Sequence, residues 1–134
     1  MSASRLKILV YSDDSTVRQR VIIALGRRPH PDLPEVEYVE VATEPVVIQN
    51  MDSGQINLAI LDGEAVPAGG MGIAKQMKDE IFNCPPILVL TGRPQDAWLA
   101  TWSRAEAAVS HPIDPIQLGE AVVELLRSRL PAQA

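Results

Sequence analysis

Five times along the chain a short strand-like run, mostly apolar, gives way to a segment with apolar residues every three or four positions. This alternation constrains the fold more than any other feature. The runs cover residues 6–11, 36–42, 56–61, 87–90 and 107–110. A run that is continuously apolar, as 56–61 is, belongs to a strand covered on both faces. The intervening segments are long enough to return the chain as crossover helices. The pattern therefore predicts an α/β fold, a doubly wound five-stranded parallel sheet with five helices. The carboxyl ends of such strands share one edge, and ligands bind in the crevice there. That edge would collect the polar residues that end the runs: Ser12 with Asp13 and Asp14, then Asp62, Thr91 and His111.

Helix one is predicted from Ser15, with Val17, Val21 and Leu25 on one face and Gly26 as its stop. RRPHPDLPE follows, a stiff loop with three prolines. Helix two runs from Thr43 towards Met51, with Pro45 tolerated in its first turn. The glycine-rich GEAVPAGGMG reads as a loop before helix three, which carries Ile73, Met77 and Ile81. Helix four covers 94–104, and helix five covers 114–130 with Leu118, Val122 and Leu125 inward. No repeat or linker interrupts the pattern. It reads as one domain over 1–134, with a core of about 6–130 and no output domain.

Hydrophobic residues make up 46% of 134 positions, yet no run approaches the roughly 18 apolar residues of a membrane span. The opening MSASRLK lacks an apolar signal core, so a cytoplasmic location without membrane insertion is expected. The single cysteine, Cys84, excludes an internal disulfide and a cysteine-based metal cluster. Twelve basic against 17 acidic residues give a net charge of −5, which disfavours nucleic acid as a partner. The pairs Arg18 and Arg20, and Arg27 and Arg28, read as a solvated helix face.

Two carboxylates at a sheet edge suit a hard cation such as Mg²⁺, and a further carboxylate could then attack a phosphoryl group. Asp13 and Asp14 serve equally well as capping residues for helix one. KILVYSDDSTVR and PILVLTG carry a resemblance that spans about residues 7–127. The chain is similar to the receiver domain of bacterial response regulators, the CheY-like form of the flavodoxin-like fold. The resemblance implies that Asp62 is the phospho-acceptor, that Asp13 with Asp62 holds Mg²⁺, and that Thr91 is the switch hydroxyl. His111-Pro112 falls on the family's Lys-Pro pair. Four departures stand beside this. Ser12 takes the first acidic position, shifting the pair to Asp13-Asp14, and His111 replaces the lysine. Val66 and Pro67 alter a lengthened loop, and Ala108 replaces the aromatic readout residue. The expectation is a degenerate, or pseudo-, receiver: not an enzyme, with no required cofactor, and with Mg²⁺ only if the acidic pocket works.

Such a receiver acts by being bound. By resemblance its contact surface is the face of helix four, strand five and helix five, where Trp98 and Trp102 lie one turn apart. Arg28 and Pro31 in the proline-rich loop form the second candidate. The chain resembles orphan receivers of actinobacteria, which are similar to an accessory subunit of respiratory complex I. That likeness implies attachment to the complex's hydrophilic arm, peripheral to the inner membrane. The alternative partner is a sensor histidine kinase in a phosphorelay. A flavodoxin-type cofactor binder is disfavoured because SDDST is negatively charged where a phosphate loop would lie. A haloacid-dehalogenase-type phosphatase needs aspartates two apart, and these are adjacent.

Overall fold

The computed structural model describes residues 5–66 and 68–129. Strands β1 (Leu6–Tyr11), β2 (Val36–Val41), β3 (Leu58–Asp62), β4 (Ile87–Thr91) and β5 (Ala107–Ser110) alternate with α1 (Ser15–Leu25), α2 (Glu44–Asp52), α3 (Gly70–Glu80), α4 (Ala97–Ser103) and α5 (Pro115–Arg129). All strands are parallel in the order β2-β1-β3-β4-β5. The order reverses between β1 and β3, so a crevice opens where their carboxyl ends part.

Alternation along the strands divides the core in two. Ile8 and Val10 of β1, Leu58 and Ile60 of β3, and Leu88 and Leu90 of β4 pack beneath α1 and α5 with Val21, Leu118, Val122 and Leu126. Leu9, Tyr11, Ala59, Leu61, Ile87 and Val89 pack beneath α2, α3 and α4 with Val47, Met51, Ile73 and Met77. The predicted α/β architecture is therefore the observed one.

Several boundaries differ from expectation for physical reasons. Helix three begins inside the glycine run, at Gly70. A Cβ there would lie 2.8 Å from the Asp62 carbonyl oxygen, so only glycine lets the helix start this close to β3. Leu126, fully buried, takes the inward position expected of Leu125, which is half-buried at the margin of the core. Steps of three and four both match a helical face, and packing against the sheet chose between them. The predicted helix four opens as a 3₁₀ turn, Pro94–Asp96, and β3 starts at Leu58 rather than Ile56. Pro67 and Leu130 lie outside the described residues. Among the described residues no helix is long and apolar enough to cross a membrane.

The proline-rich loop is tied down rather than merely stiff. Leu33 is buried, and backbone bonds join Val36 N–H to the Arg27 carbonyl and Leu6 N–H to the Glu35 carbonyl. Tyr38 donates its hydroxyl to the Gly26 carbonyl. Burial pushes the Tyr38 phenol up to about 12, and Tyr11 is raised by burial and then by the negative charges of Asp13, Glu44 and Asp62. Because the folded values are raised, the stability from these phenols is complete below pH 10. For Tyr38 it is lost as pH climbs through about 12. Absorbance titration of the folded protein should find no tyrosine ionising at the ordinary value of about 10.

At the opposite edge of the sheet Glu106 joins β4 to α3. One oxygen accepts Ile87 N–H at 2.8 Å and the other takes the Lys78 ammonium at 2.6 Å. The Lys78 side chain is only 9% exposed, so it depends on this partner and on the Pro85 carbonyl. Glu106→Ala should cost about 2 kcal/mol in urea denaturation, since it strands a buried N–H and an ammonium. Glu106→Gln, which keeps an acceptor, should cost less.

Candidate functional site

The crevice at the carboxyl ends of β1 and β3 is a cavity of about 380 Å³, lined by Asp13, Asp14, Val17, Asp62, Glu64, Gly92 and His111. β1 delivers Ser12 and the two aspartates, β3 delivers Asp62 as its last residue, and the turn after β5 delivers His111. The His111-Pro112 peptide is cis.

Asp62 is 3% exposed and held from several sides. The Ser12 hydroxyl, itself fully buried, donates to Asp62 Oδ2 at 2.8 Å. The Glu64 backbone N–H donates to Oδ1 at 2.9 Å, and His111 Nε2 lies 3.4 Å from that same oxygen. Ser12 Oγ also accepts the Asp14 N–H at 3.1 Å, which fixes the hydroxyl in place. Each oxygen of Asp62 thus already has a protein donor. Serine, aspartate and histidine meet here, but the aspartate stands in the middle. The serine proton is directed to a carboxylate rather than to imidazole, which is not the order that activates a serine nucleophile.

The two aspartates after Ser12 part company. Asp14 is the N-cap of α1, its carboxylate accepting Thr16 N–H at 2.8 Å. Its side chain both caps and lines the crevice. Asp13 reaches across to accept Val66 N–H at 3.2 Å, tying β1 to the loop that follows Asp62. Thr91, expected in the pocket, is buried at the end of β4 and does not line the cavity; its neighbour Gly92 does.

Three lining residues were not anticipated. Val17 is the first inward residue of α1. Glu64 projects its carboxylate over Gly92, where a Cβ would collide with it. The guanidinium of Arg93, next in the chain, is raised first by its hydrogen bond to Asp96 and also by the charge of Glu64. Only the position of Glu64, two residues past Asp62 in a tight turn, could have marked it in the sequence.

Each aspartate at the crevice already accepts a hydrogen bond from the protein. Asp62 is engaged by Ser12 and Glu64, Asp13 by Val66, and Asp14 by its own helix. Among the described residues no three His, Cys, Asp or Glu side chains converge in a way that could hold a metal ion.

The surface candidates fall in two places. Trp98 and Trp102 are 65% and 50% exposed, so neither packs inward. The Lys75 ammonium of α3 lies 5.7 Å from the centre of the Trp102 ring. That tryptophan therefore lies at the seam between α3 and α4, not on the α4–β5–α5 face where it was expected. Arg28 and Pro31 are exposed in the loop after α1, as expected.

No family model matches the chain. A response regulatory protein of Mycobacterium tuberculosis, found in two strains, is 68% identical over 127 residues, covering 95% of this chain and 96% of the relative. Solved receiver structures share the fold. The receiver domain of a Francisella response regulator superposes with a TM-score of 0.77 at 13% identity, over 92% of this chain and 98% of that one. The chemotaxis response regulator CheY4 of Vibrio cholerae gives 0.74 at 19% identity, over 91% and 99%. A CheY-like receiver domain protein of Methanospirillum hungatei gives 0.71 at 21%, over 94% and 97%. With a strand-end aspartate at the switch point of a five-stranded parallel sheet and a relative this similar over nearly its whole length, the chain belongs to the response regulator family as a CheY-like receiver domain.

Proposed function

We propose that this chain is a degenerate receiver that acts as a non-catalytic protein-binding, regulatory subunit rather than as a phosphoryl acceptor. The observation that carries this reading is the Ser12–Asp62 hydrogen bond of 2.8 Å. A neutral hydroxyl occupies the family's first acidic position and satisfies the acceptor carboxylate without a cation. His111 strengthens the case, because imidazole is a conditional charge on a short stem where the family has a permanent ammonium. Ala108 on β5 removes the aromatic that would report a change at Asp62.

The partner is a protein. Attachment to the hydrophilic arm of respiratory complex I, on the cytoplasmic side and peripheral to the inner membrane, rests on the likeness to orphan actinobacterial receivers. A native pull-down from cells that express the chain should recover a large membrane complex. Recovery of a sensor histidine kinase would favour the second reading, a phosphorylatable single-domain regulator. That reading draws on the cavity beside Asp62 and on Asp13 at its rim.

Phosphotransfer separates the two. Incubation with acetyl phosphate and Mg²⁺ should leave no stoichiometric label on Asp62, and millimolar Mg²⁺ should move no resonance near Asp13. Rapid, complete labelling of Asp62 would sink the degenerate reading.

A further inference from the structure

The face made by α1 and α5 lies away from the acidic crevice and carries two adjoining hollows, of about 630 and 320 Å³, which share Ala24 and Pro115. The larger hollow lies between the two helices where Ala24 of α1 and Gly119 of α5 leave little side chain. Each helix also carries a protrusion at a rim: Ile23 on α1 is 78% exposed and Ile116 on α5 is 75% exposed. Scattered exposed isoleucines are ordinary, but two that flank one apolar groove form a patch.

The charges on this face decide what would cover it. Arg18, Arg27 and Arg127 are committed to Glu40, Glu35 and Asp32. Arg20 on α1 and Arg28 in the following loop take part in none of the ion pairs among the described residues, and neither do Glu120 and Glu124 on α5. The groove therefore has an unpaired basic side and an unpaired acidic side. A partner of one charge sign would be attracted by one wall and repelled by the other. A surface that carries both signs, and both a knob and a hollow, matches itself. A twofold axis sets the α1 side of one copy against the α5 side of another.

We propose that the α1–α5 face is a self-association surface, on which a second copy of this chain docks about a twofold axis. An exposed isoleucine of each copy enters the hollow of the other, and Arg20 faces Glu120 and Glu124 across the interface. This goes beyond the binding role argued above and does not depend on whether Asp62 is phosphorylated.

Sedimentation of the full chain from micromolar to sub-millimolar concentration tests it. A reversible monomer–dimer equilibrium is expected. Ile116→Asp, at an exposed position, should weaken it more than tenfold while leaving the melting temperature of the monomer unchanged. Arg20→Glu and Glu124→Arg should each weaken the dimer, and the double swap should restore it. A strictly monomeric chain at the highest concentration overturns the proposal. So does a dimer whose dissociation constant is unmoved by Ile116→Asp and Arg20→Glu, because the contact then lies elsewhere.

Discussion

The double variant Ser12→Asp, His111→Lys is expected to accept phosphate on Asp62 from acetyl phosphate far faster than the natural chain. The gain should be about a hundredfold or more for each restored charged group, the usual effect of one charge-stabilising donor in a desolvated site. The reason lies in the hydrogen bonding of Asp62. In the natural chain the Ser12 hydroxyl at 2.8 Å and the Glu64 N–H at 2.9 Å satisfy the carboxylate, and His111 Nε2 lies 3.4 Å from Oδ1. Aspartate at position 12 would remove a donor and add a second negative charge beside a nearly buried one. Without a divalent cation, Ser12→Asp alone should therefore melt below the natural protein, since like charges at this separation disfavour ionisation of both. Mg²⁺ should return the lost stability to the variant and do little for the natural chain. Labelling with acetyl phosphate, together with melting temperatures in EDTA and in Mg²⁺, measures both arms. If the natural chain labels as fast as the double variant, Ser12 and His111 are not what sets reactivity.

A second large effect is expected at Gly70, and its sign reverses two residues later. A Cβ at Gly70 would lie 2.8 Å from both the Asp62 carbonyl oxygen and the Leu61 carbonyl carbon, backbone atoms that cannot swing aside. Gly70→Ala should cost about 2–3 kcal/mol, in the range for overpacking against a rigid neighbour. It must push the start of α3 away from β3 and so displace Asp62 itself. Gly72 lies on the same first turn of α3 with nothing within 4 Å of its Cβ position. Gly72→Ala should stabilise by about 0.5–1 kcal/mol, because alanine is the better helix former and meets no obstacle. Denaturant midpoints at constant m-value read both. A neutral Gly70→Ala would mean that α3 is not pinned to the strand that carries the acceptor aspartate.

Much of the chain was legible because its signals are local. An apolar run of five or six residues specifies a covered strand wherever it occurs, and Gly26, with φ of 68°, ends α1 where its composition says it should. Asp14 caps α1 as its residue type allows. What misled were features whose meaning depends on a distant neighbour. GGMG looks like a loop until β3 is brought beneath Gly70. Trp102 looks like part of one helix face until Lys75 of α3 is set over it. Leu125 and Leu126 compete on equal terms until the sheet selects one.

The site divides along the same line. Residue types at strand ends, taken alone, named Asp13, Asp14, Asp62 and His111 as neighbours, since parallel strands must end on a common edge. They did not reveal that Thr91 is buried while Gly92 and Glu64 line the crevice, nor that the Ser12 hydroxyl is given to Asp62 fifty residues later. Local propensity is written in each segment. Which donor reaches which acceptor follows from the β1–β3 pairing and from the shape of the turn after Asp62, and those exist only once the chain has closed on itself.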